Sequence, residues 1–253
     1  TRFKNKKLLK INKFIKIDNN DKSNNLSFYP DIYNQLSLNM ILDIGFENLQ
    51  IKITKKEKNC FLAKIISEGY LEKNKGVHIN NGSITLPILT NKDLEAIKIA
   101  KKMKINNFAL SFTNSPKDIF FFNKILSKER KIIKIETKKA VKNIEKILKH
   151  CDEILIDRGD LSKEINIIEV PKAQRKIQKI ANKKDKKVYI ATNLLESMIS
   201  KPYPTRAEIN DIYNCLELGA DGLVLAAETA VGKWPLECIK IMSDVIKNYS
   251  KAI

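Results

Sequence analysis

Glycine is scarce: the chain has 8 in 253 residues, too few for collagen-like or Gly-rich low-complexity structure. Histidine is scarcer still, with only His78 and His150. The four cysteines, Cys60, Cys151, Cys215 and Cys238, have no CxxC spacing and no clustered histidine beside them. A zinc site and a disulfide framework are therefore not expected, and a reducing compartment is the default. No run approaches about 18 uncharged apolar residues, so no transmembrane helix is expected. The first residues, Thr1–Lys7, lead into no signal-type apolar stretch, and they include no initiator Met, which points to a piece of a longer chain.

Arginine is the most telling shortage. Lys plus Arg total 47 against 29 acids, a net charge of +18, yet only Arg2, Arg130, Arg158, Arg175 and Arg206 are arginine. The lysines are spread over the whole chain among many Ile and Asn residues, as AT-rich codon usage would produce. Base-reading arginine pairs and aromatic-interleaved basic stripes are missing, so nucleic acid is not the expected partner. Apolar residues at 43% and charged residues at 30% are ordinary globular usage.

Two patterns divide the chain at about residue 85. Residues 1–85 carry short alternating runs, Asn12–Asp18, Leu49–Thr54 and Cys60–Ile65, separated by polar turns. Such alternation predicts half-buried strands in a small barrel or sandwich. In residues 86–253 apolar runs at Phe108–Phe112, Lys131–Glu136, Glu153–Ile156, Lys187–Ala191 and Gly222–Ala226 alternate with helical spacing at Asn91–Lys102, Thr137–Lys149 and Val170–Asn182. Alternating β and α predicts parallel strands with crossover helices. The strands end in polar groups: Ser111, Lys134 with Glu136, Asp157 to Asp160, Thr192 and Glu228. Active sites of (β/α) barrels lie at that end, so a barrel enzyme with a small β domain is expected.

Lys134 and Glu136, two apart on a strand, share a face. That pattern also suits a plain salt bridge. Gly159, in Arg158-Gly159-Asp160-Leu161, lets the backbone turn and offer N–H groups to an anion. Two carboxylates on neighbouring strand ends, Glu136 and Asp160, can hold Mg²⁺, which takes one or two carboxylates and completes its octahedron with other oxygens. Lys134 and Mg²⁺ would together neutralise a phosphoryl group in transit, and Thr192 would add a hydroxyl.

Several segments resemble the pyruvate kinase family. Lys131–Glu136 is similar to the signature around its catalytic lysine and magnesium-binding glutamate, and Arg158–Leu161 matches its RGDL. Ala191–Ile199 resembles ATQMLESMI, Pro204–Glu208 is identical to PTRAE, and Glu228–Pro235 resembles GETAxGxYP. Upstream, Ile41–Gly45, Asn74–Val77 and Leu86–Asp93 are similar to LLDDG, KKGVN and LPALTEKD. The resemblance implies a partial (β/α)8 barrel, strands four to eight, in residues 86–253. Residues 1–85 would be the all-β lid. Barrel strands one to three, with the monovalent-cation ligands, and the C-terminal domain would lie outside this chain. Five strands of a closed sheet would leave an open edge, so the other strands are expected from elsewhere.

The activity implied is phosphoryl transfer from phosphoenolpyruvate to ADP, giving pyruvate and ATP. Glu136 and Asp160 would hold Mg²⁺, with Mn²⁺ as a substitute, and K⁺ would be the second cofactor. Lys134 and Thr192 would be catalytic, Lys134, Gly159, Asp160 and Thr192 would bind substrate, and Lys75 would lie towards the nucleotide. A homotetramer is implied for the full-length protein, in the cytosol or in a plastid-like organelle. A pyruvate-enolate aldolase on the same barrel and a regulatory paralogue are the alternatives. Five departures bear on them: Asn114 for Arg or Lys, Thr137 for Asn, Asp157 for a small residue, Ser162 for Gly, and Ala226-Ala227 for Ser-Gly. Asp157 is expected to weaken anion binding through like charge.

Overall fold

Backbone pairing follows the two periodicities. The computed structural model describes residues 1–20, 24–45, 48–82 and 84–251, in two compact units, Thr1–Thr90 and Asn91–Ile253. The first unit contains β1 (Lys7–Leu9), β2 (Phe14–Ile17), β3 (Ile41–Ile44), β4 (Leu49–Lys56), β5 (Phe61–Ser67), β6 (Gly69–Leu71) and β7 (Val77–Ile79). Five of these form an antiparallel sheet in the order β2-β5-β4-β3-β7, and β1 pairs with β6. Along β4, Leu49, Ile51 and Ile53 are fully buried while the residues between them are not. The register sets Leu42 opposite Ile51 and Ile44 opposite Leu49, so the apolar sets of both strands meet on one face. Gly69 is required where the chain crosses this sheet, because a Cβ there would lie 2.8 Å from that of Leu49.

The division between units falls at 90/91, five residues past the sequence boundary. Just before the segment that separates the two boundaries, the Gln35 amide donates to Thr85 O at 3.0 Å and accepts from Thr85 N at 2.7 Å, which fastens Thr85 to the first unit.

The second unit opens with α1 (Asn91–Lys102) and β8 (Asn107–Leu110), then α2 (Pro116–Ile125), β9 (Arg130–Ile135), α3 (Lys138–Ile147) and β10 (Glu153–Asp157). It continues through α4 (Arg158–Glu164), α5 (Val170–Asn182), β11 (Lys187–Ala191), α6 (Arg206–Glu217), β12 (Gly222–Val224), α7 (Ala227–Ala230) and α8 (Pro235–Lys251). The five strands are parallel and lie in sequence order, β8 to β12. That is the arrangement of consecutive units in a (β/α) barrel. Buried Ile133, Ile135, Ile154, Ile156, Val188 and Ile190 line the strands, and α5 packs inward through Ala173, Ile177 and Ala181, four residues apart.

Two strands end earlier than the apolar runs suggested. Phe112 takes a left-handed φ of 54°, which ends β8 at Leu110. Ala226 N donates to the Glu228 carboxylate at 2.8 Å, leaving β12 only three residues. Helices α2, α6 and α8 lie in segments to which the periodicity assigned no element. Two of them begin with capping boxes, Ser115 with Asp118 and Thr205 with Glu208. Among the described residues no helix is long and apolar enough to cross a membrane.

Candidate active site

Register brings the polar strand ends level. Ile135 pairs with Ile156 and Asp157 with Ala191, so positions 136, 157 and 192 emerge at the same edge of the sheet. Lys134 lies on β9 and Glu136 just beyond it. Lys134 Nζ sits 2.8 Å from Glu136 Oε2 and 2.9 Å from Asp157 Oδ2. Glu136 is fully buried, and its Oε1 accepts from Phe112 N at 2.5 Å. The left-handed Phe112 backbone is part of the turn that presents that N–H. Oε2 is different: this buried oxygen has the Lys134 ammonium beside it and no other donor.

Electrostatics follows from the burial. Removal from water pushes the Glu136 carboxyl above the ordinary carboxylate range, although Lys134 and the Phe112 N–H favour its charge. Burial also disfavours the Lys134 ammonium, but the two carboxylates more than offset this and hold its pKa above that of a free lysine. Lys134 therefore stays charged.

Asp157 is the last residue of β10 and the N-cap of α4. It is 8% exposed. Its Oδ1 accepts two long bonds of 3.4 Å, from Asp160 N and Thr192 Oγ1. Asp160 is half exposed and bonded at 2.9 Å to Lys163 Nζ. One carboxylate oxygen from each of Glu136, Asp157 and Asp160 lies within 4.8 Å of the others, the one such acidic, histidine or cysteine grouping among the described residues.

Thr192 closes the site from β11. Its Oγ1 accepts from Gly159 N at 2.7 Å and donates to Ala191 O at 2.6 Å. The approach is close: a Cβ on Gly159 would lie 3.3 Å from that oxygen, a tight contact that glycine avoids. Thr192 has a φ of 69°, a left-handed conformation that a β-branched residue rarely adopts and that costs about 1–3 kcal/mol. Arg158 holds this backbone in place. Its guanidinium donates to Thr192 O at 3.1 and 2.7 Å, to Asn193 O at 3.0 Å, and pairs with Asp211 at 2.6 Å.

Not every polar strand end joins the site. Glu228 is buried and binds backbone, accepting from Ala226 N and from Leu195 N at 3.2 Å. Ser111 is exposed beyond β8. Lys75 belongs to the first unit, where its Nζ lies 3.8 Å from Glu72 and its main chain is bonded to Thr1. The PTRAE segment is a structural latch. Glu208 accepts from Thr205 N, Thr205 Oγ1, Ser197 N and Ser197 Oγ at 2.6–2.8 Å, fastening the turn after β11 to α6.

The sequence reading treated Asp157 only as an added charge. The signal for its structural use was the Asp157-x-x-Asp160 spacing at a strand-to-helix junction, which marks an N-cap. Two other departures touch each other. Asn114 Oδ1 accepts from Thr137 Oγ1 at 2.8 Å, while Asn114 Nδ2 donates to Phe112 O at 2.9 Å. Thr137 also caps α3 through Ala140 N.

Comparison with known proteins gives a consistent result. Residues 3–239 match the family model described as pyruvate kinase, barrel domain. A pyruvate kinase of Thermotoga maritima is 43% identical over 73% of this chain and 41% of its own length. One from Buchnera aphidicola is 36% identical over 98% of this chain and 54% of its own, and a plastidial pyruvate kinase of Arabidopsis thaliana is 34% identical over 86% and 39%. The chain thus spans about half the length of the curated relatives it matches. With the parallel strands in order and the lysine–carboxylate cluster at their ends, the match over most of its length makes this chain a member of the pyruvate kinase family.

Proposed function

We propose that the protein carrying this chain transfers the phosphoryl group of phosphoenolpyruvate to ADP, forming pyruvate and ATP. One observation carries the reading: Lys134 is held charged among Glu136, Asp157 and Asp160 at the strand ends of a pyruvate kinase family chain. The donor set also fits the divalent metal that this family requires. It is all oxygen, and it includes a buried oxygen, Glu136 Oε2, that has no donor beside it other than the Lys134 ammonium. Hard cations take such ligands, whereas zinc prefers nitrogen and sulfur. Glu136 and Asp160 would hold Mg²⁺, with Mn²⁺ as a substitute. When bound, the metal supplies positive charge to the phosphoryl oxygens and the enolate.

The chain's own residues would then act as follows. The bond between phosphorus and the enol oxygen breaks as a terminal ADP oxygen forms the new bond to phosphorus. The Lys134 ammonium stabilises the phosphoryl group in transit and the enolate left behind. Thr192 Oγ1 and the amides of Gly159 and Asp160 bind the substrate carboxylate, exchanging their present bonds to one another and to Asp157 for bonds to the ligand. A proton then adds to the enolate carbon to give pyruvate. Lys75 of the first unit contributes to binding the nucleotide. These roles, and a homotetrameric full-length protein in the cytosol or a plastid-like organelle, are what the family resemblance supports as a reading.

The test is an assay of ADP phosphorylation by the full-length protein, with and without Mg²⁺, beside Lys134→Met. Mg²⁺-dependent turnover abolished by the substitution is the expected result. A folded protein that binds phosphoenolpyruvate and Mg²⁺ without turnover would transfer the site to an enolate aldolase or a regulatory role.

A further inference from the structure

The kinase reading uses two carboxylates for the cation, but three converge on the site. The third, Asp157, is 8% exposed and bonded at Oδ2 to the same ammonium that pairs with Glu136. Lys134 therefore bridges two buried acids, and a positive charge already occupies the space between them. Beside it is Glu136 Oε2, fully buried and with no donor other than that ammonium. Asp157 Oδ1 has only its two 3.4 Å bonds to release or lengthen if the carboxylate turns.

We propose that Asp157 is a third carboxylate of the cation site and sets how tightly the divalent cation binds before any anionic substrate arrives. A charge count gives the reason. Glu136 and Asp160 with their lysine partners, Lys134 and Lys163, would leave the bare site neutral. Asp157 takes it to −1. That added negative charge attracts a divalent cation and repels a phosphorylated carboxylic acid, so the cation loads first. Asp157 also keeps Lys134 in the site. When Glu136 turns its charge to the cation, the ammonium retains a partner 2.9 Å away. With a small residue at position 157, Lys134 would have to follow Glu136 or lose its pairing.

The inference rests on the kinase reading of this site, and the test separates the two. Mn²⁺ is titrated into the full-length protein without nucleotide or substrate, and free Mn²⁺ is counted by electron paramagnetic resonance. Asp157→Asn keeps an oxygen to cap Asp160 N but removes the charge, and should raise the Mn²⁺ dissociation constant about tenfold or more, as expected for one charge a few ångströms from a divalent ion in water. Asp157→Ser, which keeps a capping oxygen, should do the same and serves if the asparagine variant does not fold. A folded variant of either kind that binds Mn²⁺ within twofold of wild type, while Glu136→Gln loses it, overturns the proposal. So does a wild-type protein that takes up Mn²⁺ only after phosphoenolpyruvate is added. If Glu136→Gln also keeps its affinity, the cation-site reading itself fails.

Discussion

Lys134→Met retains the length and apolar stem of the side chain and removes only the ammonium. In the metal-free protein it leaves Glu136 and Asp157 facing each other without the charge that lies 2.8 and 2.9 Å from them. Breaking a buried ion pair by deleting one partner costs about 3–5 kcal/mol. The Lys134 side chain is 20% exposed, and Glu136 keeps its bond from Phe112 N, so the low end, about 3 kcal/mol, is expected. For a unit of this size that is a fall in Tm of roughly 6–12 °C.

Two further observations make this loss specific. First, a divalent cation replaces the missing charge, so saturating Mg²⁺ should recover most of the stability even though turnover is gone. Second, the wild-type contribution follows the raised lysine pKa. It is fully present below the ordinary lysine value of 10.5 and disappears as pH rises through the higher folded value. Thermal melts of the full-length protein and the variant across pH, with and without Mg²⁺, measure all of this. A loss below 1 kcal/mol, or one that Mg²⁺ leaves unchanged, would refute the reasoning.

Other consequences can be tested with single substitutions. Glu208→Ala removes two hydrogen bonds from Ser197 in the turn after β11 and two from Thr205, the N-cap of α6, and should cost about 2 kcal/mol in urea melts, after discounting for partial exposure. Burial opposes the Glu208 charge, but Ser197 and Thr205 donors overcome this and hold its pKa below 4.5, so the advantage over Glu208→Gln exists above 4.5 and vanishes as pH falls through the folded value; a pH-independent difference would contradict this. Thr192→Ala should raise KM for phosphoenolpyruvate about tenfold through one lost polar contact, and an unchanged KM would remove Thr192 from the binding site. Burial pushes the Cys151 thiol up to about 12, so at pH 8 iodoacetamide should leave it unmodified while the protein is folded, as read by mass spectrometry.

The strands of the second unit were legible because each is a short apolar run with its own polar end, and the helix Val170–Asn182 because its buried face recurs at helical spacing. Lys134 and Glu136 could be paired from sequence because their two-residue spacing fixes a shared strand face. What Asp157 touches could not be read, since its partner Lys134 comes from the neighbouring strand and its cap from the following helix. The charge of Asp157 was legible, and with it the expected repulsion of an anion, but its pairing with Lys134 was not. Arg158 and Glu208 lie in motifs that look chemical, yet both are consumed by backbone and helix anchoring, a matter of side-chain direction that spacing does not encode. The left-handed backbone of Thr192 was equally invisible, because threonine carries no local preference for it and the fastening comes from Arg158, 34 residues away.

The bond between Asn114 and Thr137 has a consequence for how this chain can change. Each was noted separately as a departure from the family pattern, but in the folded protein they are a single unit. Replacing Asn114 by arginine alone would deprive the Thr137 hydroxyl of its acceptor at the N-terminus of α3 while bringing a long cation beside Phe112, whose N–H holds Glu136. Replacing Thr137 alone would free the Asn114 carbonyl group. Either reversal alone removes the same hydrogen bond, so the two substitutions are coupled, and the effect of one depends on which residue stands at the other.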